Sequence, residues 1–413
     1  MFFNLPGAQG HLNPTLGVVQ ALVRRGETIV YYAGEKDRAA VEAAGAEFRS
    51  YAPYLDYTFN PADAKDLVLV GLKAADICDA LYPGLFEEIR ADPPDYVIYD
   101  SCCPWGKWGA LSLKIPAISS VTSLITTPWV LLDSPVQALS MLKWLKYLPV
   151  AWPFWRKVKK LLAGLGLPNW SFFYIFFDIL ANLGELNIVY LAPEFQPFRE
   201  KIKEKCVYVG ASLALRPEPS DPSLGLDDAS SLVYVSLGTL HNERPEFYRA
   251  CIEAFSDGPS RVIMSIGQSL SPAALGSPPG NILIRPRVPQ IEILKHARVF
   301  ISHGGMNSIN EALYFGVPLV LAPQTHEQAI NAHRVAKLGA GVVLKKSDAK
   351  SIRAAVERLM AEPRFKENAL ALGRSLRQAG GAERAASEIM NFIEEKMGNG
   401  IQEEKITLKE ATS

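Results

Sequence analysis

Short, unbroken apolar runs punctuate the chain from its first residues. FFNL (2–5), TIVYY (28–32), YVIYD (96–100), PAISS (116–120), NIVYLA (187–192) and CVYVG (206–210) each read as a strand. They lack the in/out alternation of a half-solvated sheet, as a parallel sheet covered by helices on both faces requires. Between the first two, PTLGVVQALVRRG (14–26) carries Leu16, Val19, Leu22 and Val23 at helical spacing. Pro14 fits the first turn of that helix and Gly26 its end. The alternation restarts with LVYVS (232–236), RVIMS (261–265), NILI (281–284), RVFIS (298–302), PLVLA (318–322) and GVVL (341–344).

Two β/α units in tandem are therefore expected, with a cleft between the carboxyl ends of two sheets. The first domain is assigned to residues 1–212, a Pro-, Ser- and Asp-rich linker to 213–231, and the second domain to 232–380. The closing stretch 381–413 holds an amphipathic helix over 382–396, expected to pack back on the first domain, and a polar tail after Gly398. One region breaks the rhythm. Residues 128–180 hold five of the seven tryptophans and read as a hydrophobic helical insert. Such a stretch fills its own core, walls an apolar pocket or rests on a membrane interface, and RKVKK (156–160) within it is a solvated helix face or a lipid-facing one.

Composition narrows the classes. At 413 residues, two domains of roughly 200 residues are the default. Lys plus Arg equals Asp plus Glu at 43 each, which argues against a nucleic-acid partner. Five cysteines without CxxC spacing, and a first strand at Phe2 with no room for a targeting segment, imply reduced thiols and a cytoplasmic location. No window of about 20 uncharged apolar residues suggests a membrane span.

The chemistry concentrates in RPRVPQIEILKHARVFISHGGMNSINEALYFGVPLVLAPQTHEQ, residues 285–328. A strand ends at His303, Gly304 and Gly305 turn the chain, and a helix starts near Asn307. Glycines let backbone approach a ligand, and a helix start offers unpaired N–H groups to a diphosphate. Asn307 and Ser308 add side-chain donors or act as plain caps. Near the amino end, His11 follows the Pro-Gly turn of FFNLPGAQGH, and Asp100 ends YVIYD. Either residue alone reads as an ordinary helix-start or strand-end residue.

The string resembles the nucleotide-sugar signature of family 1 UDP-glycosyltransferases, particularly the bacterial macrolide and natural-product members. The match runs from Val288-Pro289-Gln290 through His303-Gly-Gly-x-Asn307-Ser308-x-x-Glu311 and Gly316-Val-Pro318 to Glu327-Gln328, and GHLNP (10–14) sits at the family's usual place. The resemblance implies a GT-B fold: two Rossmann-like doubly wound α/β domains, acceptor on the first and donor on the second. It implies that Ser236, Thr239, His303, Gly305, Asn307 and Ser308 hold the donor diphosphate. It assigns Arg287, Val288, Gln290 and Glu311 to the nucleoside, and Glu327 and Gln328 to the sugar. Where the family commonly stacks an aromatic residue on uracil, this chain has Arg287, whose guanidinium plane can also stack; UDP is favoured over TDP.

By the same resemblance His11 is the general base and Asp100 orients it. The chemistry agrees: an imidazole near its ordinary pKa of about 6.5 takes a hydroxyl proton at neutral pH. A carboxylate on its other nitrogen fixes the tautomer. The implied reaction is an inverting displacement from a UDP-sugar, with glucose the expected sugar, onto a phenolic, polyketide or macrolide hydroxyl, by a monomer or homodimer. Trp105 and Trp129 are candidate walls of the acceptor pocket. No D-x-D occurs, so no metal or other cofactor is expected; His326 and His333 share a helix face without a third ligand, and Cys102 and Cys103 read as strand-end packing because adjacent strand side chains diverge. The alternatives are a lipid or carotenoid glycosyltransferase at the membrane surface, a UDP-sugar epimerase and a non-catalytic sugar-binding protein. GAQGH lacks the G-x-G-x-x-G spacing of a nicotinamide dehydrogenase.

Overall fold

The computed structural model describes residues 1–55, 67–133, 146–213, 221–226, 231–239 and 242–411. Most of the linker, part of the 128–180 insert and the last two residues lie outside that set. The first sheet has seven parallel strands: β1 (Phe2–Phe3), β2 (Val30–Ala33), β3 (Glu47–Ser50), β4 (Val97–Asp100), β5 (Ala117–Val121), β6 (Leu186–Val189) and β7 (Lys205–Tyr208), in the order 3-2-1-4-5-6-7. The second has six: β8 (Leu232–Ser236), β9 (Arg261–Ser265), β10 (Ile282–Arg285), β11 (Val299–Ser302), β12 (Leu319–Leu321) and β13 (Gly341–Val343), in the order 10-9-8-11-12-13. Both are doubly wound, so the direction of winding reverses between β1 and β4 and again between β8 and β11. At such switch points the connections leave to opposite faces and open a crevice at the carboxyl edge.

Four apolar cores hold the sheets. Phe2, Tyr31, Ile98 and Ile188 pack under Val18, Leu22, Ala385, Ile389 and Phe392, so the Gly381–Ala411 helix caps the first domain beside the Gln9–Arg24 helix. Phe3, Tyr99, Trp105 and Trp108 form the other face with Ile77, Leu81 and Ile175. Val235, Met264 and Ile301 meet Tyr248 and Phe365 in the second domain. The fourth core joins the domains: Val189, Leu191 and Phe195 pack with Tyr234, Phe300 and Ile309. A continuous apolar interface of this kind fixes the two crevices against each other.

Three expectations change. EFRS forms the edge strand β3, which carries one buried residue, Phe48, between a charged Glu47 and Arg49; an edge needs charge, so it shows no apolar run. The first helix begins at Gln9, placing Pro14 inside it rather than in its first turn. Proline cannot bond back to the Gly10 carbonyl, and that carbonyl instead accepts Asn307 Nδ2 at 2.9 Å from the other domain. The last helix continues from Gly381 to Ala411, through the stretch expected to be a polar tail.

Candidate active site

The first half of the site stands at the β1/β4 switch point. The helix start carrying His11 is pinned from below: the Tyr31 hydroxyl accepts from Asn4 Nδ2 at 2.8 Å and shares a 2.7 Å hydrogen bond with Thr15 Oγ1. Asp100, the last residue of β4, is fully buried. Its Oδ1 accepts the Cys102 amide at 2.7 Å, and its Oδ2 lies 2.9 Å from His11 Nδ1. Thr122 Oγ1 also lies 3.1 Å from Nδ1, so the ring is held from two sides. Its Nε2 is the nitrogen left for chemistry, and the side chain keeps 25% of its surface exposed. Burial on its own would lower the imidazole pKa, but the charge and hydrogen bond of Asp100 and the charge of Glu327 outweigh it; the net shift is upward from 6.5.

The second half stands at the β8/β11 switch point. Ser236 ends β8 with its hydroxyl accepting the Gly238 amide at 3.3 Å, and Thr239 is exposed in the turn that follows. His303 follows β11, and its ring lies between two glycines. A Cβ on Gly238 would come within 2.6 Å of the ring, and one on Gly305 within 2.4 Å. The chain therefore needs glycine on both sides for this imidazole to sit at the helix start. Gly304 takes a φ of +87°, and Gly305 caps the Met306–Tyr314 helix with no side-chain bond of its own, leaving the first amides open toward the cleft. Asn307 and Ser308 occupy that first turn.

Further along, Tyr234 Oη donates to Gln290 Oε1 at 3.0 Å, and Gln290 Nε2 donates to the buried Glu311 at 2.5 Å. A small pocket lies there, lined by Asn13, Leu16 and Gly17 of the first domain and Ile291 and Glu311 of the second. Val288 is buried beside it in sequence, and Arg287 is exposed. Thr325 caps the His326–Lys337 helix by accepting the Gln328 amide at 3.3 Å. Gln328 is turned inward, its Oε1 accepting the Gln324 amide. Glu327 reaches across the gap: its Oε1 accepts Ser123 Oγ at 2.7 Å and Asn331 Nδ2 at 3.2 Å.

Thr122 and Ser123 carried no motif and were not singled out from the sequence; their signal was only a pair of hydroxyls just beyond an apolar strand. They connect His11 to Glu327 through adjacent residues of one loop. The aromatic expectations fare differently. Trp105 is buried, edge-on to Tyr51 and hydrogen-bonded to its hydroxyl at 3.2 Å, so it belongs to the core rather than to a pocket wall. Trp129 is half exposed, with the Lys201 ammonium 3.6 Å over its ring. A small apolar pocket lies instead between the helices Leu67–Ala91, Leu148–Gly164 and Phe172–Ala181, lined by Phe154, Phe172 and Phe176 among others. Cys103 is buried, whereas the Cys102 thiol turns toward the dyad: His11, Asp100 and Cys102 present nitrogen, oxygen and sulfur within 4.8 Å of one another. At the same time Cys102 packs, partly buried, against the core that holds Trp105 and Trp108, in keeping with its reading as strand-end packing. Among the described residues no helix is long and apolar enough to cross a membrane.

Residues 210–378 match the family model described as UDP-glucoronosyl and UDP-glucosyl transferase. Uncharacterized UDP-glucosyltransferase YojK of Bacillus subtilis is 32% identical over 405 residues, covering 96% of this chain and 98% of that protein. NDP-glycosyltransferase YjiC of the same organism is 35% identical, covering 94% and 96%. The demethyllactenocin mycarosyltransferase of Streptomyces fradiae is 30% identical, covering 95% and 86%. The crystal structure of the calicheamicin glycosyltransferase CalG4 superposes with a TM-score of 0.77 at 32% identity, covering 95% of this chain and 98% of that one. Two facing GT-B domains, paired switch points and these relatives together make the chain a member of the UDP-glucoronosyl and UDP-glucosyl transferase family, a glycosyltransferase of the natural-product type.

Proposed function

We propose that the enzyme transfers a hexose of the glucose type from UDP to a hydroxyl of a hydrophobic small molecule, inverting the anomeric centre. The observation that carries this reading is the 2.9 Å pair of His11 Nδ1 and Asp100, set across the cleft from the open helix start at Gly305. The acceptor oxygen attacks the anomeric carbon as its proton passes to His11 Nε2; the bond from that carbon to the β-phosphate oxygen breaks, and UDP leaves with the charge. Asp100 stabilises the imidazolium that forms. The amides from Gly305 to Ser308, with His303, Ser236 and Thr239, take up the diphosphate charge as fixed dipoles, a role that requires no metal or other cofactor. Glu311, positioned by Gln290, accepts the two ribose hydroxyls, and Glu327 and Gln328 meet the sugar. Val288 and Arg287 border the base. Hydrophobic acceptors suit the apolar, aromatic lining that the insert helices share with the Leu67–Ala91 helix.

A mass-spectrometric screen of UDP- and TDP-sugars against phenolic, macrolide and lipid alcohols tests this. Turnover of soluble aromatic or macrolide alcohols with UDP-glucose supports it; product from lipid alcohols alone, in vesicles, overturns the choice of acceptor. Trp152, 62% exposed, and the exposed Val150 and Tyr174 of the insert helices favour that second reading, in which the insert rests on a bilayer.

A further inference from the structure

The catalytic reading leaves the Cys102 thiol without a role, although it faces the two groups that matter most. We propose that His11, Asp100 and Cys102 form a binding site for a borderline-soft divalent cation of the Zn²⁺ class, and that the cation switches the enzyme off. A His11 ring nitrogen, an Asp100 carboxylate oxygen and Cys102 Sγ all lie within 4.8 Å of one another, no other such trio occurs among the described residues, and Nδ1 is the nitrogen that faces Asp100. Bonds of about 2.0–2.3 Å around a tetrahedral ion put ligand atoms about 3–4 Å apart. The present 2.9 Å between Nδ1 and Oδ2 is slightly short of that, so small side-chain rotations open the seat. Thr122 Oγ1, 3.1 Å from Nδ1, or a water supplies the fourth position. Asp100 is buried, whereas His11 and Cys102 are partly exposed, so a hydrated ion approaches from the cleft side.

The donor set chooses the ion. A thiolate beside an imidazole suits Zn²⁺ and its soft neighbours and disfavours Mg²⁺ and Ca²⁺, which want oxygen. On binding, the thiol releases its proton to solvent, and thiolate and carboxylate together balance the charge of the ion. The consequence for the imidazole is a change of tautomer. A neutral ring carries one N–H; in the working form it lies on Nδ1, toward Asp100. An ion that takes the Nδ1 lone pair forces that proton to Nε2, and an Nε2–H cannot accept a proton from a hydroxyl. The ion therefore abolishes the base while leaving the donor half of the cleft intact.

The binding half of this proposal is independent of the reaction; the inhibitory half rests on His11 being the base. Co²⁺ titrated into the full-length enzyme reads the binding, through the near-ultraviolet thiolate-to-metal charge-transfer band and its displacement by Zn²⁺. The band should appear once per chain, vanish in Cys102→Ala and persist in Cys206→Ala, which removes the other partly exposed thiol. Inhibition of Cys102→Ala by Zn²⁺, read against that variant's own metal-free turnover, should be weaker than the parent's by at least about tenfold. Mg²⁺ at the same concentration should leave both proteins active. A parent enzyme with no band, or a band that survives Cys102→Ala, overturns the site. A band with undiminished turnover overturns the switch alone, and turnover that survives His11→Ala defeats the base assignment without touching the site.

Discussion

The two halves of the cleft stand at equivalent places in equivalent sheets, yet they are built differently. The donor-facing half draws most of its groups from one contiguous stretch: His303, Asn307, Ser308, Glu311, Glu327 and Gln328 follow each other within 26 residues, joined by Ser236, Thr239 and residues 287–290. Its fit comes from backbone, with an open helix start and glycines that make room for one imidazole. The acceptor-facing half assembles His11 from a helix start and Asp100 and Thr122 from two strand ends, spread over more than a hundred residues, and its fit comes from side chains holding side chains. Binding a fixed diphosphate needs dipoles that do not move. Taking a proton needs one group whose charge state is tuned by neighbours, and neighbours can come from anywhere in the fold.

If that division is right, variants in the two halves should fail in different currencies. His11→Ala should lower kcat/KM by about 10²–10⁴-fold while calorimetry shows UDP affinity near that of the parent; equal losses in both would make His11 structural. Asp100→Asn should reduce turnover almost as far, since it loses the tautomer-fixing acceptor. It should also move the pH profile. The imidazole pKa is raised, so base is lost as pH falls through a value above 6.5. With Asp100 neutralised the burial that opposes it remains, and the acid limb of kcat/KM should shift to lower pH; an unmoved limb would remove Asp100 from the pairing.

On the other side, Glu311→Ala should weaken UDP binding by about 1.5–3 kcal/mol, roughly ten- to hundredfold, with kcat at saturating donor much less affected. Donor affinity equal to the parent's would refute the ribose assignment. The smallest expected effect tests the contact that joins the halves. Asn307→Ala should cost about 1 kcal/mol of stability by depriving the Gly10 carbonyl of its partner. In a Pro14→Ala background the helix supplies its own N–H, and the cost should shrink. A double-mutant cycle on thermal unfolding reads the difference, and additivity would mean that the proline does not create the need for Asn307.

Legibility followed the same division. β8 and β9 fall on the residues that the apolar runs mark, and the other strands of the second domain within about one residue, because a strand buried on both faces has to be apolar throughout. The Gly-Gly turn was readable for the same reason: its purpose is local. Edge strand β3 escaped because one inward residue among charges makes no run, and the early start of the first helix escaped because Pro14 argued against it. Trp105 misled, since an aromatic near a binding segment reads alike whether it faces a pocket or the core.

The sequence by itself determined that there are two parallel β/α domains, which segment offers a helix start to an anion, and that His11 and Asp100 are chemically suited partners. Spacing and apolar runs carry such information because each depends on residues a few positions apart. Only the tertiary structure decided that Thr122 completes the hold on His11, that Ser123 reaches Glu327, and that the Cys102 thiol faces the dyad. Those are contacts between strand ends, loops and helix starts, most of them far apart in the chain, and what brings them together is the burial of apolar faces elsewhere, which leaves no mark on the residues that meet.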